Sequence, residues 1–391
     1  MYKQKQKESR QKGITLISLV VTVVVLIILA GVSIGMLVGD NGIITQAQRA
    51  KEYQLNAEST ESKLWNDMTN YIDNIIDGNG PPEDANQTAT TVSEAKLNGL
   101  PYKNTTIIKD DLDNDVKIPG GFNIAEDSGT KIEEGIVIED KKGNQFVWIP
   151  VGEYNVSTSI NEGGKLINNL SRRTFTTTES REVSEDDAIG TYFFGEGNTN
   201  SVAKDQIEGF KTSANNNKGF YMGRYEAGTE AERTADGDVL TIPLVQANKN
   251  PYVYVTKNQA KMQAEAMYSE NTYVTSELMS SYAWDTTLNF ICQTNEKGYL
   301  LSRTTDSIYG NLETSSKKLT GTYLSDNYCN LYDIIGNCRE WSTEYSTYNT
   351  GPGVDRGGYY EQDSGFAAIR GANTEGSSDS NTSFRIQMYV K

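Results

Sequence analysis

Histidine is absent from all 391 residues, and cysteine occurs only three times. The first absence excludes Ser-His-Asp hydrolysis, histidine-ligated zinc or iron, and histidine proton shuttles. Three thiols are too few for a dense disulfide framework, so the fold must rest on a packed core. Basic residues are also short, with 36 Lys and Arg against 52 Asp and Glu and a formal net charge of -16. Such a chain is poorly suited to gripping a phosphate backbone, and nucleic acid is not an expected partner. Apolar residues reach 37%, enough for a folded domain and too few for a multi-span membrane protein. The length predicts two or three structural units.

The charge that is present is unevenly spread. Lys3, Lys5, Lys7, Arg10 and Lys12 against Glu8 make residues 1–13 a basic leader. From Ile14 to Val38 no residue is charged. As a helix this run rises roughly 37 Å and crosses a bilayer once. The flanking charges then place the basic end in the cytoplasm and the acidic bulk outside the cell. A cleaved signal peptide is the alternative, but the run exceeds a usual signal core and no small-residue cleavage pattern follows it. Lys12-Gly13-Ile14-Thr15-Leu16-Ile17 resembles the class III signal of type IV prepilins and pseudopilins. The resemblance implies a cut by prepilin peptidase between Gly13 and Ile14, methylation of the new N-terminus, and packing against other pilin subunits. Ser18 stands where those proteins carry a glutamate that pairs with a neighbouring subunit. Membrane display is therefore expected ahead of filament assembly.

Turn chemistry at Gly39-Asp40-Asn41-Gly42 ends the apolar run, and residues 39–77 read as a polar, amphipathic stalk helix. Leu64, Met68, Tyr71, Ile72, Ile75 and Ile76 give it one apolar stripe. Pro81 and Pro82 cannot continue it, and 78–115, rich in Thr, Asn and Asp, reads as a linker. Asp111, Asp113 and Asp115 mimic the opening of an EF-hand loop. Val116 and Phe122 then occupy the positions that need glycine and a bidentate glutamate, so the segment is expected to be a solvated acidic turn. Beyond it, Ile136–Glu139 and Phe146–Val151 flank a Lys141-Lys142-Gly143-Asn144 turn as a β-hairpin. A strand is expected at Phe220–Tyr225, and helices at Lys257–Ser269 and Ser276–Ile291. Long loops, 155–189 and 196–217 among them, fill the rest. The fold class is α+β, rich in irregular loops.

Several of these segments resemble, in order, the formylglycine-generating enzyme family. Phe146-Val147-Trp148-Ile149-Pro150-Val151 is similar to its opening strand, and Tyr225-Glu226 ends its second. Trp284-Asp285 follows the threonine-rich start of a helix. Asn330-Leu331-Tyr332-Asp333-Ile334-Ile335-Gly336-Asn337-Cys338-Arg339-Glu340-Trp341-Ser342 is the strongest match, followed by Arg356-Gly357-Gly358-Tyr359 and Ser383-Phe384-Arg385. The resemblance implies a C-type lectin fold over 116–391, carried behind a long pilin-like helix. It also implies a structural calcium ion held by the side chains of Asp333 and Glu340 and the carbonyls of Gly336 and Cys338, an all-oxygen set suited to a hard cation. The alternative is that this turn is only the central hairpin of the fold. Gly336 and Asn337 suit a tight turn in either case.

The family's oxidation uses two cysteines between its arginine-glycine-glycine turn and its final phenylalanine-arginine. Here Tyr359–Ser383 contains none, because Cys292, Cys329 and Cys338 all come earlier. The sulfoxide-forming relatives hold iron with three histidines. The chain is therefore expected not to be an enzyme of either kind. Cys329 and Cys338 paired across the turn, or three unpaired thiols, are both open. What remains is a polar surface with aromatics: Tyr359, Tyr360, Glu361, Gln362 and Asp363, then Asn373, Thr374, Glu375, Ser377, Ser378, Asp379 and Asn381. The resemblance places these on one exposed face, which some relatives diversify by a retroelement. Loops of this composition are adaptable binders, and an ordinary solvated loop is the other reading. The sequence thus points to a cell-surface module whose ligand is an extracellular protein or glycan. A minor pilin or pseudopilin is the alternative, and a formylglycine-type oxidase stands third.

Overall fold

The run Phe146-Val147-Trp148-Ile149 offers no polar position to solvent, and the structure buries it on both faces. The computed structural model describes residues 87–184, 187–193, 196–202, 207–312, 314–347, 352–362 and 365–391. The leader with Gly13 and Ile14, the expected membrane helix and stalk, the start of the expected linker, and Asp363 lie outside these. Among the described residues no helix is long and apolar enough to cross a membrane.

Two six-stranded sheets dominate. The first has the order Val274–Leu278, Ile386–Val390, Gly219–Gly223, Gln145–Pro150, Val137–Asp140, Phe122–Ile124, antiparallel throughout. Trp148 meets Tyr221 edge-on at 5.1 Å across two of these strands. A Cβ at Gly219 would stand 2.2 Å from the Trp148 ring, so only glycine fits beside it. Helix Glu208–Asn216 covers one face through Phe210, which packs edge-on against Phe220 at 5.1 Å and Tyr389 at 5.8 Å. The second sheet runs Glu196–Val202, Ile189–Phe193, Arg370–Asn373, Gly353–Arg356, Arg339–Ser346, Thr382–Phe384. It curls far enough for Glu196–Val202 to pair also with Arg339–Ser346. Arg385 lies between Thr382–Phe384 of the second sheet and Ile386–Val390 of the first, so this one residue marks where the chain changes sheets.

The hairpin expected at 136–151 forms, with Val137–Asp140 paired to Gln145–Pro150. The expected linker does not hold over its described part. Thr91 caps helix Val92–Asn98 by accepting from the Glu94 amide, and Gly99 closes it at φ 60°. Val92, Ala95, Tyr102 and Ile108 are buried. The Asp111-Asp113-Asp115 stretch belongs to a second hairpin, Thr106–Lys109 with Asp115–Ile118. The two hairpins share one turn, Asp-x-x-x-Asn. Asp110 accepts from the amides of Leu112 and Asn114, as Asp140 does from Lys142 and Asn144. Each Asn side chain returns a bond to its Asp, and its Oδ1 staples a distant amide: Asn114 holds Asn155 at 2.7 Å, Asn144 holds Val245 at 3.0 Å. The fourth position carries positive φ in both, Asp113 at 65° and Gly143 at 84°. Asn144→Ala should therefore cost about 1–3 kcal/mol, the penalty for stranding a buried amide. A urea midpoint equal to wild type would refute the staple.

The helix expected at 276–291 starts later. Val274, Ser276 and Leu278 alternate inward as a strand paired with Ile386–Val390, and Ser280 then caps helix Ser281–Thr294. The other expected helix runs Lys257–Ala266 behind a Thr256–Gln259 capping box. The expected loops at 155–189 and 196–217 contain the hairpin Arg172–Phe175 with Ser180–Val183, strand Glu196–Val202 and helix Glu208–Asn216.

Helix Ser281–Thr294 also delivers Asp285 to a closed ring of buried charge. Arg356 donates to Asp285 Oδ1 at 2.8 Å and to Glu344 Oε1 at 2.7 Å. Arg370 donates to Glu344 Oε2 at 2.8 Å and to Asp285 Oδ2. Two guanidinium groups and two carboxylates cancel, with all four side chains at most 2% exposed. The ring ties this helix to three neighbouring strands of the second sheet.

Candidate functional site

The strongest sequence motif forms a turn that uses several left-handed residues. Asp333 has φ 58°, Gly336 87° and Asn337 59°. A Cβ on Gly336 would meet the Asn311 carbonyl at 2.3 Å, so glycine is required there. The turn brings the Asp333 carbonyl and the Glu340 carboxylate to one cation of the chain itself, Arg385. Both Glu340 oxygens accept from Arg385, at 2.6 Å from Nη2 and 2.9 Å from Nε. Arg385 also donates to the carbonyls of Tyr332, Asp333 and Gly223. It thereby clamps the turn to both sheets.

Two further carboxylates that the motif reading did not place here, Glu226 and Asp326, are fully buried beside it. Burial first, then the charges of Asp333 and Glu340, hold the Glu226 carboxyl well above the ordinary carboxylate range. Burial and the Asp333 charge do the same to Asp326. Asp333 is pushed up to about 6 and Glu340 to about 7, burial outweighing the pull of Arg385 in both. Glu226 Oε2, Asp326 Oδ1 and Asp333 Oδ1 have no hydrogen-bond partner. Four acids around one guanidinium, three of them with an orphaned oxygen, form a pocket of unmet negative charge suited to a hard cation or to protons. No three His, Cys, Asp or Glu among the described residues converge as a ready metal cage. Any cation here must therefore draw on backbone carbonyls as well. Glu340 fits that set less well than Asp333, because Arg385 engages both of its oxygens.

The thiols are unpaired and protonated. Cys338 is fully buried and held well above its ordinary pKa by burial and Glu226. Cys329, half-buried, is pushed up to about 11, and Cys292 higher still. The disulfide alternative between Cys329 and Cys338 is not what the structure shows.

The other expected residues fall into two segments, and Arg339 joins them. Its guanidinium lies 4.1 Å over the Tyr359 ring and 3.9 Å from Asp355, while its amide donates to the Asn381 carbonyl. Tyr359 meets Tyr360 edge-on at 6.0 Å. Tyr254, missed by the sequence reading, donates its amide to the Asp379 carbonyl and sits at φ 54°, a strained angle for so large a residue. Lys257 pairs with Glu375 at 3.4 Å and lies 3.6 Å over the Tyr345 ring. Asn373 reaches Asp355, and Ser378 donates to Asp236. Glu361 and Thr374 are exposed; Gln362, Ser377 and Asn381 are half-exposed. Tyr360 is nearly buried, so it supports this face rather than presenting itself. The position of Arg339 between Cys338 and Glu340 was the one sequence signal that could have found the hub.

No family model and no curated protein matches the chain. Among solved structures it is similar to PvdO from Pseudomonas aeruginosa, with 14% identity, 65% of this chain and 97% of that one covered, and a TM-score of 0.37. It is also similar to Treponema denticola variable protein 1 (12%, 63% and 95%, TM-score 0.36) and to CarF (16%, 44% and 87%, TM-score 0.32). The fold is mixed α and β, mostly sheet.

Proposed function

We propose that this chain is a non-catalytic binding module, displayed outside the cell by a pilin-like membrane helix. The observation that carries the reading is that Arg339 touches both segments, its guanidinium over the Tyr359 ring and its amide on the Asn381 carbonyl. Two facts support the absence of oxidase chemistry. The segment where the resembled enzymes keep their reactive cysteines has none, and the three thiols elsewhere are held protonated. The display half rests on the uncharged run Ile14–Val38 behind a basic leader. A calcium ion, when bound, would supply positive charge to the buried acids. Asp333, Glu340 and the carbonyls of Gly336 and Cys338 would hold it and stiffen the turn beneath the face.

The test uses the full-length chain. On intact cells a membrane-impermeant biotin reagent should label it. In detergent, applied to an array of glycans and extracellular proteins, wild type should bind at least one ligand that Tyr359→Ala binds ten-fold or more weakly at unchanged melting temperature. A chain confined to the cytosol, or a variant that binds equally well, overturns the proposal.

A further inference from the structure

The loop 230–245 holds aliphatic side chains in water on a rigid frame. Val239 is 81% exposed and Ile242 47%. Single aliphatics exposed on a loose loop are ordinary, but this loop is firmly held from below. Arg233 is 3% exposed and donates to the carbonyls of Asp238 and Val239, at 3.0 and 2.8 Å. It also donates to those of Val253 and Tyr254 in the neighbouring segment, at 2.8 Å each. The Asp238 carboxylate accepts from the amides of Thr234 and Ala235. The Tyr252 hydroxyl donates to the Thr241 carbonyl and accepts from its amide, at 2.9 Å in both cases.

Tyr254, beside this loop, is strained. It is half-exposed at φ 54°, an angle that a bulky residue keeps only where its surroundings impose it. Its amide is fixed by the Asp379 carbonyl and its own carbonyl by Arg233. Among the described residues no cation or second ring stacks on it, in contrast to Tyr345 and Tyr359. The carbonyls of Val239 and Tyr254 share one guanidinium, so their backbones lie side by side. The bond from Ser378 to Asp236 ties the loop to the binding face a second time.

We infer that Val239, Ile242 and Tyr254 form a docking patch that extends the binding face, and that its occupant is a polypeptide presenting apolar side chains. The inference rests on the binding reading above and narrows its ligand class. A patch fixed before the encounter loses little conformational freedom on binding, which is how preorganised interfaces gain affinity. Aliphatic side chains offer no hydrogen bonds to the hydroxyls of a sugar, and burying those hydroxyls unpaired is costly. A leucine or phenylalanine of another chain instead removes two apolar surfaces from water at once.

The experiment titrates the full-length chain in detergent with fluorescent Gly-Ser decapeptides that carry three leucines, three lysines or neither, and with a neutral oligosaccharide. Empty micelles give the background. The leucine peptide should bind at least five-fold more tightly than every other probe. Val239→Ser should weaken it five-fold or more. Leu97→Ser, which removes a similarly exposed aliphatic (85%) from helix Val92–Asn98, should change it less than two-fold. Tyr254→Asn, which tolerates the left-handed backbone but lacks the ring, should weaken it about as much as Val239→Ser, at an unchanged or higher melting temperature. Equal losses in Val239→Ser and Leu97→Ser would reduce the effect to general stickiness and overturn the inference. A leucine peptide that binds no better than the other probes overturns it too, as does a Tyr254→Asn chain that binds fully or melts lower than wild type. Each of these results leaves the binding reading intact where Tyr359→Ala still loses a ligand on the array. An array indifferent to Tyr359→Ala removes both.

Discussion

Arg356→Ala should cost the domain about 3–5 kcal/mol, the usual penalty for breaking a buried ion pair from one side. The ring of Arg356, Arg370, Asp285 and Glu344 is neutral only when whole. Removing Arg356 leaves two carboxylates, both fully buried, facing one guanidinium. The same substitution releases the Ile369 carbonyl, which Arg356 Nε holds at 2.8 Å. A paired change separates charge from packing. Arg356→Ala combined with Asp285→Asn restores neutrality with Arg370 and Glu344 and should recover part of the loss, whereas a purely steric role predicts a further decrease. Chemical denaturation of the two variants beside wild type decides between them. If the single variant stays within 1 kcal/mol of wild type, the ring is not a clamp.

The second large effect concerns pH. In a calcium chelator, stability should fall as pH rises from 5 to 8. Glu226, Asp326, Asp333 and Glu340 all bind their protons more tightly in the folded state than in the unfolded one. The stability each contributes is full below the ordinary carboxylate pKa near 4 and is lost as pH climbs through the folded value. For Asp333 and Glu340 that window ends at about 6 and about 7; for the other two it extends higher. Each retained proton gives a slope of about 1.4 kcal/mol per pH unit. The melting temperature should therefore drop by about 5 °C or more across the range. Glu226→Gln, which can still accept from Asn337, should flatten the profile and raise stability at pH 8. Calcium should also raise stability at pH 8 and do little at pH 5, where protons already neutralise the acids. A flat profile in chelator would mean that the acids are ionised and solvated after all. Identical curves with and without calcium at pH 8 would remove the cation from the proposal.

Local patterns were legible in the sequence wherever they matched a short-range rule. The Lys141–Asn144 turn sits between two apolar runs and announces its hairpin. Its twin at Asp110–Asn114 has the same bonding, yet its flanks, Thr106–Lys109 and Asp115–Ile118, are shorter and more polar. Its acids therefore read as solvated. The first residues of the helix expected from Ser276 belong instead to strand Val274–Leu278. What makes it a strand is Ile386–Val390, more than a hundred residues away. The candidate site shows the same limit. The turn geometry of Gly336 and Asn337 follows from residue type, while the gathering of Glu226, Asp326 and Arg385 around it depends on chain crossings that no local window contains.

The position of Ile386–Val390 has a consequence for synthesis. This strand is internal to its sheet, hydrogen-bonded on one side to Val274–Leu278 and on the other to Gly219–Gly223. The residue before it, Arg385, supplies the cation for the turn. A nascent chain that lacks only Arg385–Val390 has an open sheet edge and four buried acids without the Arg385 cation. The first sheet therefore closes only once Ile386–Val390 is available to pair with both of its neighbours.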